Sequence, residues 1–338
     1  MSALAKSDKI VPHLSQQDMQ MKLVQSLFAV IVAGGAIAGA TSHAQEGRKL
    51  LESRESLYNN IYVYGQGPYV SMTFGYNRRI YTESIYNSQD DRDLPVEYTR
   101  LMTASLMYAK SLNSILEIGF GGGRTAWYLH RFLPNVAVTS VELDPTVIEL
   151  ARKYFGIKNE PNFQVANRDG RIFLTESKDK YDIILIDAYR GPFVPFHLLT
   201  KEFYEIVKAH LAEGGVVAQN VEPTTMLFDS AVKTINAVFP EIDFYMADGN
   251  IVTVAYEGPP RTIDDLDRTA RERNKAYGLR YSLHDMLDDR WRAQIDAGSV
   301  IDPHPPESAI DPHAKVLTDD FAPVEALKAI ERHNRKWP

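Results

Sequence analysis

Between residues 114 and 256, short apolar runs alternate with segments whose apolar positions recur at helical spacing. "SILEIG" and "VAVTSVELD" predict strands, and "TAWYLHRFLP" and "PTVIELARKYFG" predict the helices that follow them. "FQVANRDG" and "YDIILIDAY" predict further strands. "TKEFYEIVKAHLAEGG" predicts a helix closed by its glycines, "VVAQNV" a strand, "TTMLFDSAVKTINAVFP" a helix and "IDFYMADGNIVTVAY" a terminal strand pair. Strands alternating with helices of this length imply βαβ crossovers and an α/β, doubly wound, mostly parallel sheet. Ligands of such sheets bind at the carboxyl ends of the strands.

Upstream the pattern differs. Ser56 to Ile85 is rich in Tyr, Val and Ile and is punctuated by "GQG" and "GYN", which predicts a small antiparallel β subdomain. Leu94 to Leu112 has helical spacing and leads into a glycine cluster. Beyond Pro259 a charged segment ending in "DDRWRAQI" predicts a solvated helical tail, followed by the proline-rich connector "DPHPPESAIDPH".

At the amino end, Lys22 precedes "LVQSLFAVIVAGGAIAGATSHAQ", uncharged from Leu23 to Ala40, and Ser42-His43-Ala44 has the small-x-small form of a cleavage site. This predicts a signal peptide over residues 1–44 and an exported, periplasmic protein. An uncleaved membrane anchor is the rival, because residues 23–40 are just long enough to span. Lys6, Lys9 and Lys22 before the stretch and Arg48, Lys49 and Arg54 after it leave orientation open. A misassigned start would leave the protein cytoplasmic.

A formal charge of −7 and the lack of any basic block exclude a nucleic-acid groove, whose affinity rests on cations facing phosphates. The absence of cysteine excludes disulfides, thiolate catalysis and Cys-ligated zinc. His130, His197 and His210 do not make a metal spacing and read as surface or capping residues, so no metal is expected.

Candidate chemistry begins at "ILEIGFGGGRTAWYLH". The apolar strand stops at Gly119, and Gly121, Gly122 and Gly123 let backbone approach a ligand where a Cβ would collide. Free amides at the start of the next helix add donors. The following strand ends in Glu142 and Asp144, roughly twenty residues on, where an acid accepts hydrogen bonds from ribose hydroxyls. The strand after that ends in Asp169 and Gly170, and its carboxylate suits an adenine amino group. Together these imply adenosine.

With these residues in place, Ser56 to Tyr256 resembles the spermidine synthase-like (polyamine aminopropyltransferase) family of the class I S-adenosylmethionine-dependent methyltransferase fold. "SLYNNIYVY" resembles that family's amino-terminal strand, "EYTRLMT" its tyrosine-bearing helix and "LIDAYRGP" its active-site loop. The resemblance implies a Rossmann-like domain over 94–258, a β subdomain over 50–93 and a helical extension over 259–338. It implies that Gly119, Gly121, Gly123, Glu142, Asp169 and Gly170 hold S-adenosylmethionine or its decarboxylated form as co-substrate. Asp187 falls on the catalytic aspartate, and Tyr98 and Glu222 fall on the substrate side; the aromatic faces of Tyr98 and Tyr189 also suit a sulfonium or ammonium by cation–π attraction. An amine acceptor and a homodimer follow from the same likeness.

Three positions depart from the family pattern: Arg190 replaces a second aspartate, Asn59 a glutamine and Gly122 an acid of the glycine loop. Arg190 and Arg124 suit a carboxylate instead, on intact S-adenosylmethionine or an amino-acid acceptor. A small-molecule methyltransferase and an exported, non-catalytic binding or scaffold protein of the same fold are the alternatives to aminopropyl transfer. "VLTDDFAPVEAL" resembles a closing segment of spermidine synthase-like proteins, with Asp319 and Asp320 expected to cap a helix after Pro323.

Overall fold

Four antiparallel strands open the chain: β1 (Lys49–Glu55), β2 (Asn60–Gln66), β3 (Tyr69–Tyr76) and β4 (Arg79–Asn87), in that order in one sheet. The computed structural model describes residues 47–76, 79–191, 193–223, 225, 227–247, 249–291, 310 and 314–320. The expected signal peptide or anchor, including residues 23–40, and the helix expected after Pro323 lie outside the described residues. No described helix is long and apolar enough to cross a membrane.

The second sheet carries β5 (Ser114–Ile118), β6 (Ala137–Glu142), β7 (Phe163–Asn167), β8 (Tyr181–Ile186) and β9 (Leu211–Val221) in parallel. β10 (Glu241–Ala247), β11 (Asn250–Tyr256) and the two-residue β12 (Arg290–Trp291) extend it antiparallel. Among the described residues the order is β12-β10-β11-β9-β8-β5-β6-β7. Every residue of β8 is buried, and from Ile183 to Ile186 this central strand is one continuous apolar run rather than an alternation. β5 pairs with β6 on one side and β8 on the other, so the direction of winding reverses beside it. That reversal opens a crevice outside the carboxyl ends of β5 and β8.

Helices cover the sheet: α1 (Glu97–Met102), α2 (Arg124–Phe132), α3 (Pro145–Tyr154), α4 (Gly170–Glu176), α5 (Lys201–Ala209), α6 (Phe228–Asn236) and α7 (Ile263–Tyr277). Two of these helices start on an aspartate cap. Asp144 accepts from Thr146 N at 2.9 Å ahead of Pro145, and Asp169 accepts from Arg171 N and Ile172 N at 3.0 Å. α7 buries only Leu266 and Ala270, so Ile263–Tyr277 is a largely solvated helix.

Two expectations need correction. The helix expected over 94–112 is short, and a 3-10 turn over Thr103–Met107 continues it with every residue buried. Gly214 and Gly215 do not close α5. They lie inside β9, where pairing shifts between Tyr181 and Ile183, and Gly214 takes φ +72° against the Lys110 side chain. Asp319, whose expected helix lies outside the described residues, makes a two-pronged carboxylate pair with Arg171, at 2.7 Å to Nη1. Leu317 meanwhile bonds Lys201 N and Thr234 Oγ1, docking residues 314–320 on α5 and α6.

Candidate active site

The glycine loop occupies the crevice mouth for steric reasons that can be named. Gly119 sits at φ +93°, and a Cβ there would stand 2.3 Å from the backbone oxygen of Asp187. The close approach of the β5 and β8 ends therefore requires glycine. Gly123, at φ +69°, precedes the first turn of α2, and a Cβ would meet the Phe120 ring at 2.3 Å. At Gly122 a Cβ would stand 2.7 Å from both Phe155 and Ser84, so no side chain fits. Ser84, on β4, accepts from Gly122 N at 2.8 Å, which ties the amino-terminal sheet to the loop.

Around this loop the carboxylates gather at successive strand ends. Glu142, at the end of β6, accepts from Phe120 N at 3.0 Å, Gly121 N at 3.2 Å and Asp144 N at 2.9 Å. Burial raises its carboxyl above the usual range, and these three amides partly offset that. Asp169 holds the first turn of α4 and accepts from His197 Nε2 at 2.8 Å, and the His197 contact holds its carboxyl below the usual range. Gly170 begins α4, and a Cβ there would strike Ile118 at 2.3 Å, so its glycine is a packing requirement.

Asp187 follows β8 directly, its backbone N–H donating to Ile118 O at 2.8 Å. Tyr98 of α1 donates its hydroxyl to Oδ2 at 3.1 Å, and Asn220 of β9 donates to Oδ1 at 3.0 Å. Asn250 of β11 donates to the Asn220 amide oxygen at 2.9 Å, fixing which end of that amide faces Asp187. Burial pushes the Asp187 carboxyl up to about 6, with the Asn220 and Tyr98 hydrogen bonds pulling against it. Tyr98 itself is held well above the usual tyrosine range by burial and by Asp187. Tyr189 donates to Asn220 O at 2.9 Å, and its ring borders a mostly apolar pocket with Phe193, Leu199, Val221 and Leu227, where Glu222 supplies an acid.

Thus Asp187, Tyr98, Tyr189, Glu142, Glu222 and the glycine loop converge on one crevice, and Asp169 and Gly170 flank it from α4. Three side chains that sequence reasoning passed over also belong here. Asn220 orients Asp187, Ser84 anchors the loop, and Glu83 of β4 is pushed up to about 8 by burial and by the charges of Asp187, Glu142 and Glu222. The string "AQNVEP" held the only sequence signal for Asn220, a polar pair at the end of an apolar strand. Other expectations fail. Arg124 is buried, donates to Phe155 O at 2.9 Å and stacks on Tyr86 with 4.5 Å to the ring, so it is committed to the fold and not to a ligand carboxylate. His130 is a buried residue against Glu160 at 3.1 Å, not a surface one. His197 is the partner of Asp169, and His210 caps α5 through Ile206 O at 2.8 Å. Arg190 is exposed, and its backbone bridges to Phe193. Among the described residues no cluster of His, Asp or Glu could hold a metal ion.

The chain is also similar to known proteins. Residues 96–251 match the spermine/spermidine synthase domain family. The chain is 29% identical over 289 residues to a polyamine aminopropyltransferase of Vibrio vulnificus, covering 82% of this chain and 91% of that protein. It is also 29% identical over 312 residues to a Bifidobacterium longum protein named "Probable polyamine aminopropyl transferase", covering 88% of this chain but only 66% of the longer relative. Among solved structures, the spermidine synthase of Thermotoga maritima superposes with a TM-score of 0.58 at 23% identity, over 71% of this chain and 83% of that one.

Proposed function

From the premise that residues 96–251 are a spermine/spermidine synthase domain, we propose that the protein moves an aminopropyl group from decarboxylated S-adenosylmethionine to an amine acceptor. Asp187 carries this reading: a partly buried carboxyl, raised to about 6, stands at the end of β8 between the glycine loop and the Tyr189 pocket. In such a transfer the acceptor nitrogen attacks the carbon next to the sulfonium. The carbon–sulfur bond breaks with its electron pair going to sulfur, and one N–H proton must leave. An alkylamine is almost wholly protonated at neutral pH, so a carboxylate that orients it and accepts the proton lowers the barrier. Tyr98 and Asn220 hold Asp187 by one oxygen each, which leaves the other lone pairs for the amine.

The nucleoside end fits the loop side of the crevice. Glu142 is the acid for the ribose hydroxyls, Asp169 with Gly170 borders the adenine, and the Gly119–Gly121–Gly123 backbone borders the sulfur-bearing chain. Glu142 already accepts from two loop amides, so it both shapes the loop and keeps a lone-pair direction for ligand. The acceptor end is the Tyr189–Glu222 pocket, whose apolar lining suits a methylene chain with an amine at the acid. The test is Asp187→Asn, which preserves shape but removes the proton acceptor. Turnover falls about 10²–10⁴-fold while nucleoside affinity is retained; unchanged turnover would sink the assignment of Asp187.

A further inference from the structure

Glu83 is the one carboxyl in the crevice that the preceding account leaves without work. Its Oε1 is buried and has no hydrogen-bond partner. A buried acceptor left unsatisfied costs free energy, and native folds rarely keep one without a reason. Three other acids face it from three strand ends, Asp187, Glu142 and Glu222, and their charges add to the cost. Tyr98 and Tyr189 face it too, and each is raised further by the charge on Glu83.

The backbone explains how it comes to point there. Between β3 and β4, Met72 pairs with Ser84 and Thr73 with Thr82, so Glu83 is an extra residue that no partner opposes. A bulge of this kind re-aims a side chain that plain alternation would send to the other face. Its neighbour Ser84 already touches the glycine loop at Gly122 N, and Gly122 has no room for a side chain of its own. Gly122 can therefore offer no carboxylate, and the bulged strand carries one, Glu83, next to the residue that touches the loop.

We propose that Glu83 is a specificity-determining residue that binds the primary ammonium of the donor's aminopropyl chain, so that the site selects a donor whose chain ends in an amine without a carboxylate. The inference rests on the transferase reading above. An ammonium at this position satisfies Oε1 and neutralises part of the crowding among the four acids. Because burial keeps Glu83 largely protonated in the unliganded crevice near neutral pH, the incoming cation expels that proton to solvent. Intact S-adenosylmethionine would place its own carboxylate among the same acids and be disfavoured.

The experiment is isothermal titration of the full-length protein and of its Glu83→Gln and Glu83→Asp variants. The ligands are decarboxylated S-adenosylmethionine, intact S-adenosylmethionine and 5′-methylthioadenosine, which keeps nucleoside and sulfur but lacks the aminopropyl chain. Glu83→Gln weakens the decarboxylated donor about tenfold or more, leaves methylthioadenosine within about twofold and narrows the preference over the intact donor, in line with a charge-assisted hydrogen bond. Glu83→Asp restores part of the loss. Equal weakening of both decarboxylated donor and methylthioadenosine, with a lowered melting temperature, makes Glu83 structural and overturns the proposal. So does a variant that binds every ligand like wild type. Wild type that binds neither ligand overturns the transferase reading itself, an outcome distinct from a wild type that binds both and a Glu83→Gln variant without selective loss.

Discussion

Single residues carry the chemistry here, and they do so at a cost to stability. Glu83 is pushed from the usual 4.5 up to about 8 by burial and by its acidic neighbours, and Asp187 from 3.8 up to about 6 by burial. Each keeps a proton in the folded chain that the unfolded chain has already released, so folding becomes less favourable as pH rises through those windows. Urea unfolding at pH 5 and pH 8 checks this directly. Glu83→Gln gains stability relative to wild type, and the gain is larger at pH 8 by about 1 kcal/mol or more; an advantage that shrinks with rising pH contradicts the burial of an unpartnered acid. Sequence made Gly119, Glu142, Asp169 and Asp187 legible because each stands at a strand end, where a break in an apolar run is visible. Glu83 and Ser84 were not legible. In "RIYTESIY" ordinary alternation sends neighbouring side chains to opposite faces, and only the bulge, set by pairing with a strand about ten residues away, reverses that.

At the scale of elements, helix starts do two jobs at once. Asp169 caps α4 through two amides and also pairs with His197, which holds its carboxyl low. The two roles separate by substitution. Asp169→Ala loses the cap and costs about 1 kcal/mol in chemical denaturation, whereas Asp169→Asn keeps a side-chain oxygen and costs only a few tenths. If the carboxylate also borders adenine, Asp169→Asn still weakens nucleoside binding, and equal affinity for wild type and this variant would remove Asp169 from the ligand site. The parallel strands and their helices were readable because β5, β6, β8 and β9 run into glycine or an acid at their carboxyl ends. Their edges were less so. His210 ends α5 and β9 starts at once at Leu211, with Gly214 and Gly215 absorbed into a pairing shift against β8. A glycine pair after a helix ordinarily signals a cap, and only the partner strand distinguishes that from a bulged strand. Likewise the run 94–112 keeps helical spacing because it is buried on all sides, not because it is one helix.

Over the whole molecule, the order of strands places the carboxyl ends of β5, β6, β8 and β9 around one crevice, and β4 closes it from above the glycine loop. An acidic chain with Glu142, Asp187 and Glu222 lining that crevice attracts cations, as a sulfonium donor and an amine acceptor both are. The doubly wound architecture was fully visible in the alternation of apolar runs, since parallel strands require crossovers of helical length. The docking of residues 314–320 through Asp319 and Arg171 was not, because an ion pair between segments far apart in the chain leaves no local trace. The measurement that bears most directly on the central claim is mass spectrometry of the products formed by the full-length protein from decarboxylated S-adenosylmethionine and a panel of short diamines and amino acids. Methylthioadenosine appearing in step with an acceptor that has gained one aminopropyl group is the predicted result. A methylated acceptor formed from intact S-adenosylmethionine, or no product from any pair, contradicts it.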